Sequence, residues 1–299
     1  MRIFFKDIIF VFLLGILILL PFEVWMASQK HVMKAQYSFL QNNCSNVKVL
    51  VLGHSQTEAG LNPTLLGDST YNLAVSGRVI HFDVLLLQRY IDQMDNLQTV
   101  IYPMHYSFSG AMRFFSHKGN RESTVHDQVR YLHLFSFRYP MLSLISYSEF
   151  LSGNMRLDKV KRLCPPSQNI VDSYSSLGFI PLYGHTSWRN EYDLIQTQQE
   201  EFTSDLTTIA RLCSEHGVCL KIITCPFSDE ALDKVTPEGI HNLQTTIEMV
   251  QSLYPDIEWY NYLEDEQFRH DTSLFYDWSH LNYVGSALFS QRVKNDLAL

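Results

Sequence analysis

One stretch of sequence, VKVLVLGHSQTEAG at residues 47–60, predicts much of the architecture. Val47–Leu52 is a short, nearly continuous apolar run, as expected for a strand that is buried on both faces. Gly53 and His54 then end the run, and Gln56–Gly60 opens a helical turn. We therefore expect Ser55 at the carboxyl end of a parallel strand and at the amino end of a helix, where open α/β sheets bind their ligands.

Further apolar runs alternate with helical patterns along the rest of the chain. The predicted strands are Tyr71–Val75, Val100–Met104, Cys219–Cys225 and Ile257–Asn261. The predicted helices are Val79–Met94, Phe202–His216, Pro237–Leu253 and Tyr283–Leu297. Strands separated by helices are typical of a parallel sheet that is covered on both faces, so the sequence predicts a three-layer α/β fold.

The composition is that of a folded protein with an acidic balance. Hydrophobic residues make up 46% of the 299 residues and charged residues 18%, which supports a buried core and excludes general disorder. The 31 acidic and 23 basic residues give a net charge of −8, whereas a general nucleic-acid binder is usually basic. We therefore expect no nucleic-acid partner.

The cysteines do not indicate a disulfide scaffold. They are scattered and form no Cys-x-x-Cys pair: Cys44, Cys164, Cys213, Cys219 and Cys225. A bridge between Cys213 and Cys219 is compatible with the sequence, but spacing alone does not fix its geometry. We expect these thiols to be mainly small, buried apolar groups.

The first thirty residues differ in kind from the rest. Ile8–Phe22 carries no charge, and Ile8–Ala27, interrupted by Glu23, would be about 30 Å long as a helix. The end of this run does not resemble a small-x-small cleavage site, which argues against a cleaved signal peptide. Charges on both sides favour a membrane anchor over a third alternative, a buried core helix.

The predicted organisation is a transmembrane signal-anchor at residues 1–30, a linker at 31–45 and one domain at 46–299. Arg2 and Lys6 precede the apolar run and Lys30 and Lys34 follow it, so charge gives only a small orientation bias. The expected protein is single-pass, with its amino terminus inside. Its domain then lies outside the cytoplasm, in the periplasm or at the cell surface.

A long insertion, at about residues 107–197, separates the third and fourth predicted strands. It has helical pieces of its own, such as Tyr139–Leu151. Nine basic and four acidic residues lie between Arg113 and Arg162, interleaved with aromatic side chains. Two interpretations stay open: a solvated surface close to a membrane, and a substrate groove.

A second polar motif, Asp277-Trp-Ser-His280-Leu-Asn282, follows the last predicted strand. An aspartate three residues before a histidine can orient the imidazole, which leaves the other ring nitrogen to accept a serine proton. In a doubly wound sheet this loop returns to the same edge as Ser55. The sequence therefore brings a candidate nucleophile and a candidate base to one edge.

Simpler interpretations of the same residues stay open. Ser55 would be an ordinary choice for a helix N-cap, and His280 could cap a helix beside a surface aspartate. A metal held with His270 and Asp271 is a third alternative, although no further ligand spacing supports it.

The motifs resemble those of the SGNH/GDSL hydrolase superfamily, from about residue 46 to the carboxyl terminus without the insertion. Val51-Leu-Gly53-His54-Ser55 is similar to the serine block, with histidine where the family has aspartate. Asn72-Leu-Ala-Val-Ser76-Gly77 resembles the glycine block. Asp277-x-x-His280-Leu-Asn-x-x-Gly285 is the most similar and most specific block.

The third block of this chain departs from the family pattern. An asparagine should follow the third strand, but the chain has Pro103-Met-His105-Tyr106-Ser107. By position, His105 ranks before Tyr106 as a replacement. The departure puts one oxyanion donor in doubt.

A second serine carries the literal family signature. Gly67-Asp68-Ser69 precedes the second predicted strand, so it would lie at the opposite edge of the sheet. We expect Ser69 to be a turn residue.

The resemblance implies a flavodoxin-like sheet in the order 2-1-3-4-5, with the site on the loops after strands one, two, three and five. The independently predicted strands put Ser55, Gly77, His105 and His280 on those loops, and this agreement strengthens the motif matches.

The resemblance also implies the chemistry. His280 would accept the Ser55 proton, Asp277 would hold the imidazole, and Ser55 would form a covalent acyl-enzyme. The backbone N–H groups of Ser55 and Gly77 would bind the oxyanion, with His105 as the third donor. No metal or other cofactor is expected.

Membrane-anchored branches of this superfamily modify acyl groups on cell-surface polymers, and the anchor and insertion look similar to theirs. We therefore expect an O-acyl esterase or O-acyltransferase acting on a cell-envelope glycan or a related ester, with a membrane acyltransferase as a candidate partner. Lipid or thioester hydrolysis is a rival within the same chemistry. The alternative is a catalytically weak accessory protein that binds a glycan through the insertion.

The sequence assigns no substrate-binding residue. Arg78 could contact an anionic substrate, and Tyr183, Trp188 and Arg189 could line a sugar site. His54 has either a structural role or a role in shaping the pocket. Each of these side chains is also compatible with a purely structural role.

Overall fold

The computed structural model describes residues 2–104, 120–148, 151–152, 175–186, 199–233 and 235–299. The helices in these residues are α1 (Arg2–Ser28), α2 (Val32–Asn43), α3 (Ser55–Gly60), α4 (Pro63–Leu66), α5 (Ile80–Tyr90), α6 (Asn120–Tyr131), α7 (Pro140–Ile145), α8 (Gln199–Glu215), α9 (Asp229–Leu232), α10 (Pro237–Leu253), α11 (Glu266–Arg269) and α12 (Tyr283–Asp296). The strands are β1 (Val49–Val51), β2 (Thr70–Asn72), β3 (Thr99–Met104), β4 (Cys219–Thr224) and β5 (Glu258–Asn261).

The strands form one parallel sheet in the order β2-β1-β3-β4-β5, which confirms the predicted order. β1 is an interior strand, and its Leu50 aligns with Tyr71 of β2 on one side and with Val100 of β3 on the other. A parallel sheet directs the loops after its strands to one edge, which we call the carboxyl edge. Ser55 follows β1 at this edge.

Both faces of the sheet are buried, because successive strand residues point to opposite sides. On one face, Leu50, Val100 and Leu220 join the larger apolar cluster with residues of α5, α8 and α10. On the other face, Val51, Ile101 and Ile223 join the second cluster with residues of α4 and α12. The sheet is therefore the middle of three layers, as predicted.

β2 ends at Asn72, earlier than the predicted Val75, although the N–H groups of Leu73 and Val75 still donate to the carbonyl oxygens of Val51 and Gly53 at 2.8 and 3.1 Å. The Asn72 side chain adds hydrogen bonds to neighbouring elements at this end of the strand. Its amide donates to the carbonyl oxygens of Thr57 and Leu61 at 2.7 and 3.0 Å. Its Oδ1 accepts from the Ala74 N–H at 2.9 Å. These bonds fasten the carboxyl end of β2 to α3, the helix that begins with Ser55.

α1 contains the one segment among the described residues that is long and apolar enough to span a membrane, Lys6–Ser28, with mean hydropathy 2.6. None of its most apolar window is buried inside the protein. The alternative of a buried core helix is therefore wrong. The side of the membrane on which the domain lies stays a prediction.

The segment predicted as a linker, residues 31–45, instead forms α2 as part of the folded body. Met33 and Leu40 are buried in the larger apolar cluster. The buried Gln36 donates through Nε2 to the carbonyl oxygens of Leu73 and Ala74 at 3.2 and 3.4 Å. The inward face of α2 therefore includes a glutamine, which weakens the apolar pattern that would have predicted a helix.

The first described part of the insertion packs against α2. The ring of Tyr131, the last residue of α6, lies against the ring of His31 at an interplanar angle of 35°, with centroids 4.3 Å apart. The charged ends of Lys34 and Arg130 lie 5.0 and 5.7 Å from the centre of the Tyr131 ring. These basic and aromatic groups therefore hold the insertion to the body. The next helix, α7, ends at Ile145, short of the predicted Leu151.

The cysteines in the described residues are free thiols: Cys44, Cys213, Cys219 and Cys225. The bridge between Cys213 and Cys219 is not formed. Burial raises the pKa of Cys213 and of Cys225 to about 12, which makes both thiols poor nucleophiles. Cys219 is exposed, and Cys164 lies outside the described residues.

Candidate active site

The turn after β1 requires a residue without a side chain. Gly53 has a φ of 106°, and a Cβ atom there would lie 2.2 Å from Cγ of Pro103 in β3. Glycine alone tolerates both this backbone conformation and this contact. The chain can therefore turn sharply between β1 and α3 while the ends of β1 and β3 stay close together.

Ser55 is the first residue of α3, and its hydroxyl contacts a residue from the far end of the chain. Ser55 Oγ lies 2.8 Å from Nε2 of His280. The cap position of α3 belongs to His54, whose side chain makes no capping hydrogen bond. The alternative that Ser55 is merely an N-cap is therefore wrong.

The other side of the His280 ring faces Asp277. Nδ1 of His280 lies 2.9 Å from each carboxylate oxygen of Asp277. The same carboxylate accepts the backbone N–H groups of Ser279 and His280 at 2.9 and 2.8 Å. If Nδ1 donates its proton to Asp277, Nε2 is left to accept the hydroxyl proton of Ser55.

Asp277 is held as a carboxylate. Burial pushes the pKa of Asp277 upward, but the hydrogen bonds and charge of His280 and the two backbone N–H groups more than offset it. The pKa of Asp277 therefore lies below its ordinary value, so the group stays ionised at neutral pH.

The loop that carries Asp277 and His280 is fastened at several points. Gln56, next to Ser55 in α3, donates through Nε2 to the Ser279 carbonyl at 3.1 Å. The hydroxyl of Ser228 donates to the Trp278 carbonyl at 2.8 Å. Asn282 caps α12 through the N–H groups of Val284 and Gly285. Hydrogen bonds between side chains and the backbone of this loop therefore hold the imidazole of His280 in place beside the hydroxyl of Ser55.

His54 lies immediately before the candidate nucleophile and is neutral at physiological pH. Burial, and then the nearby His280, lowers the pKa of His54 to about 4. A neutral His54 adds no positive charge beside the imidazole that would accept the Ser55 proton. This outcome fits a structural role for His54.

Glu58 links the Ser55 helix to the loop after β2. Its carboxylate accepts a hydrogen bond from the backbone N–H of Ser76 at 2.8 Å and a second, short one from the Ser76 hydroxyl. The next residue, Gly77, has a φ of 75° in this exposed turn. Glu58 therefore orients the peptide unit that precedes the predicted oxyanion donor Gly77.

Sequence reasoning missed Glu58. An acidic residue in the first turn of a helix is usually exposed and complements the helix dipole, so the pattern suggested nothing unusual. Here Glu58 is 4% exposed, and burial raises its pKa. One feature of the sequence could have indicated burial: Glu58 lies between Thr57 and Ala59 on a helix that directly follows a buried strand.

The third predicted oxyanion donor, His105, lies outside the described residues, as does its competitor Tyr106. Trp188 and Arg189, two of the sugar-site candidates, also lie outside them.

A segment of the insertion, residues 175–186, runs along the carboxyl edge, and we call it the rim segment. It contacts β2 through Asn72 N–H and the Leu177 carbonyl at 2.9 Å, and α3 through Ile180 N–H and the Glu58 carbonyl at 3.3 Å. It then contacts the start of α12, just after the loop that carries Asp277 and His280, through Tyr283 N–H and the carbonyl of Leu182 at 2.7 Å. The rim segment therefore joins three elements that surround the serine.

The rim segment also carries an exposed aromatic pair. The rings of Tyr183 and Tyr283 stack with centroids 5.3 Å apart, and the two side chains are 67% and 45% exposed. Tyr283 is three residues after His280. Of the three sugar-site candidates, Tyr183 is the one that lies in the described residues, and it contacts a residue close in sequence to His280.

Other candidates from the sequence lie elsewhere. Ser69 is exposed and precedes β2, so it lies at the edge opposite to Ser55. His270 pairs through its two ring nitrogens with Asp229 and Glu266, and Asp271 accepts from Ser273 in a short turn. These side chains are therefore engaged away from Ser55.

Arg78 is 2% exposed, so its side chain is enclosed by protein groups and does not reach the surface. Its guanidinium donates to Gln128 of α6 at 3.1 Å, to Asp83 of α5 at 3.3 Å and to Gln36 of α2 at 3.4 Å. Arg78 therefore joins the insertion and α2 to the body. Burial raises the pKa of Asp83 to about 7 in spite of this arginine.

No protein-family model matches the chain, and no curated protein matches it. Among solved structures, it is similar to a Streptococcus pneumoniae protein described provisionally as a platelet activating factor, with 12% identity, 94% of this chain and 98% of that one covered, and a TM-score of 0.45. A GDSL-like lipase from Bacteroides thetaiotaomicron is 8% identical, with 89% and 97% covered and a TM-score of 0.42. A lipase/acylhydrolase from Enterococcus faecalis is 13% identical, with 84% and 97% covered and a TM-score of 0.40.

At these identities and TM-scores, a function has to be inferred from the chain's own residues. The sheet order and the meeting of Ser55 with His280 at the carboxyl edge are observed directly. The chain has a three-layer α/β fold with a flavodoxin-like parallel sheet in the order 2-1-3-4-5.

Proposed function

We propose that the chain is a serine-dependent acyl enzyme, an O-acyl esterase or O-acyltransferase. The observation that carries this proposal is the hydrogen-bonded series of Ser55, His280 and Asp277, with separations of 2.8 and 2.9 Å. A hydroxyl, an imidazole and a carboxylate in this order are the groups that nucleophilic acyl transfer needs.

In the proposed reaction, Ser55 Oγ attacks the carbonyl carbon of an ester while His280 Nε2 accepts the hydroxyl proton. The tetrahedral intermediate collapses, and the alcohol leaves with the proton that His280 returns. Water or a second alcohol then attacks the acyl-enzyme by the same route, which gives hydrolysis or transfer. Asp277 stays ionised throughout and stabilises the imidazolium.

The proposed oxyanion donors are the backbone N–H groups of Ser55 and Gly77, with His105 as the third. The Ser55 N–H lies in the first turn of α3, where N–H groups have no partner within the helix and favour negative charge. The two hydrogen bonds from Ser76 to Glu58 support the Gly77 assignment, because they fix the turn. Loss of one such donor typically costs about 10²–10³ in turnover.

An acylated cell-envelope glycan is the proposed substrate. The exposed pair of Tyr183 and Tyr283 beside the catalytic loop supports it, because tyrosine offers a broad apolar face together with a polar hydroxyl. The apolar α1 supports a location at a membrane. We propose that the amino terminus lies inside and the domain outside the cytoplasm, with a membrane acyltransferase as a candidate partner.

A fluorophosphonate probe tests the serine chemistry directly. Wild-type protein should be labelled at Ser55, Ser55→Ala should not be labelled, and the matched variant Ser69→Ala should be labelled like wild type. Circular dichroism of all three proteins controls for folding. Absence of labelling in the folded wild type would remove the enzyme proposal.

Mass spectrometry of envelope glycans from a deletion strain tests the substrate. We expect a changed degree of O-acylation that wild type restores and Ser55→Ala does not. Unchanged acylation alongside probe labelling would retain the acyl chemistry and reject the glycan.

A second candidate is a catalytically weak accessory protein that binds a glycan. The feature that favours it is the third block, where His105 stands in place of the expected asparagine. Glycan binding by the wild type without probe labelling of Ser55 would support this alternative over the enzyme.

A further inference from the structure

An apolar surface of the insertion lies beside the end of α1. It consists of five side chains, each between half and nine-tenths exposed, which we call the apolar stripe: Phe137, Met141, Leu144, Tyr147 and Leu151. They follow one another at intervals of three or four residues. Such residues share one face where the chain is helical, as it is through α7.

α7 differs from an ordinary surface helix, because its most exposed side chains are apolar. Its inward side presents Ser143 and, just after its end, Ser146, both 0% exposed, beside Leu142, which packs against the larger apolar cluster. The Ser143 hydroxyl bonds with the backbone of Ser136, and the Ser146 hydroxyl lies 2.7 Å from Nδ1 of His126. A surface helix normally turns its apolar side inward and its polar side to water. The apolar stripe therefore points away from the protein although a polar side was available.

The apolar stripe is continuous with the candidate membrane span. The Ser148 hydroxyl donates to Oε1 of Glu23 at 2.5 Å, and Glu23 lies in the last quarter of α1. Trp25, two residues further on, is 40% exposed. Tryptophan at the end of an apolar helix is typical of the boundary between hydrocarbon and headgroups. In a bilayer that α1 spans, Ser148 would therefore lie at the level of that boundary.

We propose that the apolar stripe lies in the interfacial layer of the same bilayer that α1 spans, with its side chains among the lipid headgroups and the first methylene groups. Its aromatic members, Phe137 and Tyr147, suit this layer. The domain then has two attachments to the membrane: α1, which crosses it, and α7, which lies on it. Two attachments fix the rotation of the domain about α1, which one helix cannot do.

The contact between Ser148 and Glu23 also favours a lipid surface over a protein partner as the group that covers the apolar stripe. None of the apolar window of α1 is buried inside the protein, and the bilayer that covers it would reach the apolar stripe without any added component. A second copy or another membrane protein would have to cover both surfaces at once. The proposal does not depend on the acyl chemistry of Ser55.

Spin-label accessibility in nanodiscs tests the proposal on the full chain. Each nanodisc contains one copy of the protein in a bilayer of phosphatidylcholine and phosphatidylglycerol. In a background of Cys164→Ser and Cys219→Ser, a nitroxide is attached at Leu144→Cys or Leu151→Cys. The matched control is Leu253→Cys on α10, because Leu253 and Leu151 are both 60% exposed in the protein. The measurement is the collision rate of each label with oxygen and with a water-soluble nickel chelate.

We expect the ratio of oxygen to nickel collisions at 144 and 151 to be several-fold higher than at 253. Equal ratios at all three positions would place the apolar stripe in water and overturn the proposal. Labels at 144 and 151 that neither reagent reaches would mean that protein covers the stripe, which also overturns it. Probe labelling of Ser55 is measured separately, so failure of the membrane contact and failure of the enzyme proposal are distinguishable.

Discussion

Among single residues, Asp277 gives the sharpest test of the site, because its carboxylate contacts Nδ1 of His280 and so orients the imidazole. We expect Asp277→Asn to lower kcat by about 10³–10⁴ with little change in KM, since an amide favours the wrong tautomer of His280. Steady-state hydrolysis of a soluble ester measures both. Asp271→Asn is the control, because the Asp271 side chain serves a turn away from Ser55. An undiminished kcat in Asp277→Asn would contradict the assigned role.

His54 makes stability depend on pH in a defined direction. Its pKa is about 4 in the folded chain and near 6.5 when unfolded, so between these values the unfolded chain binds a proton that the folded chain does not. Stability therefore falls as the pH falls through this window, with a slope of at most about 1.4 kcal/mol per pH unit for one site.

Replacing His54 by glutamine should remove this slope. Urea unfolding of wild type and His54→Gln across the window measures the difference between the two proteins. Asp83, with a pKa of about 7, titrates in the same way in both proteins and cancels in the difference. A pH dependence that is identical in the two proteins would show that His54 titrates alike folded and unfolded.

The parts of the site that the sequence predicted are those with short-range patterns. Ser55 follows a buried strand, and Asp277 stands three residues from His280, so each motif is visible within a few positions. Glu58 and Arg78 could not be assigned, because their partners Ser76 and Gln128 lie far away in sequence and show no periodic signal.

Among the larger elements, the rim segment depends most on glycine. Gly178 has a φ of 90°, and a Cβ there would lie 1.8 Å from the carbonyl oxygen of Asn72 in β2. Gly184 has a φ of 81°, but a Cβ there would meet no atom within 4 Å. Both glycines therefore have a backbone conformation that other residues rarely adopt, but only at Gly178 would a Cβ atom clash with β2.

We expect Gly178→Ala to destabilise the chain by about 2 kcal/mol more than Gly184→Ala, because the added methyl group must push the rim segment off the edge of β2. Urea unfolding measures the difference. Gly178→Ala should also lower ester turnover, since Ile180 of the same segment is bonded to α3. Equal destabilisation by the two substitutions would mean that the rim segment does not rest on β2.

The elements were predicted unevenly, for physical reasons. Successive residues of each strand point into two apolar layers, so the strands appear in the sequence as distinctive apolar runs. The order of the strands was predicted from the family resemblance. α2 was missed because Gln36 occupies its inward face. α7 was expected to be longer, since its outward residues continue the apolar spacing beyond the end of the regular helix.

For the whole molecule, α2 marks where the folded body begins. A truncated chain that starts at Gln29 keeps α2 and should be soluble, with ester turnover close to that of the full chain. A chain that starts at Val47 loses Met33, Leu40 and the Gln36 hydrogen bonds to the loop after β2. We expect the second truncation to unfold at a temperature at least about 5 °C lower.

Thermal unfolding followed by circular dichroism, together with hydrolysis of a soluble ester, compares the two truncations. Equal melting temperatures would show that α2 is only a spacer, as the sequence first suggested. Aggregation of both truncations would instead indicate that α1 is needed for more than attachment.

The short connection between α1 and α2 limits where the protein can act. α1 ends at Ser28 and α2 begins at Val32, so three residues join the candidate membrane span to the folded body. Fully extended, they allow a separation of about 10 Å. With so short a connection, the folded body cannot move far from the end of α1 to reach a substrate. If α1 spans a membrane and Ser55 carries the proposed acyl chemistry, the molecule that receives or gives up the acyl group must come to the lipid surface, either carried on a lipid or as a long polymer that passes it.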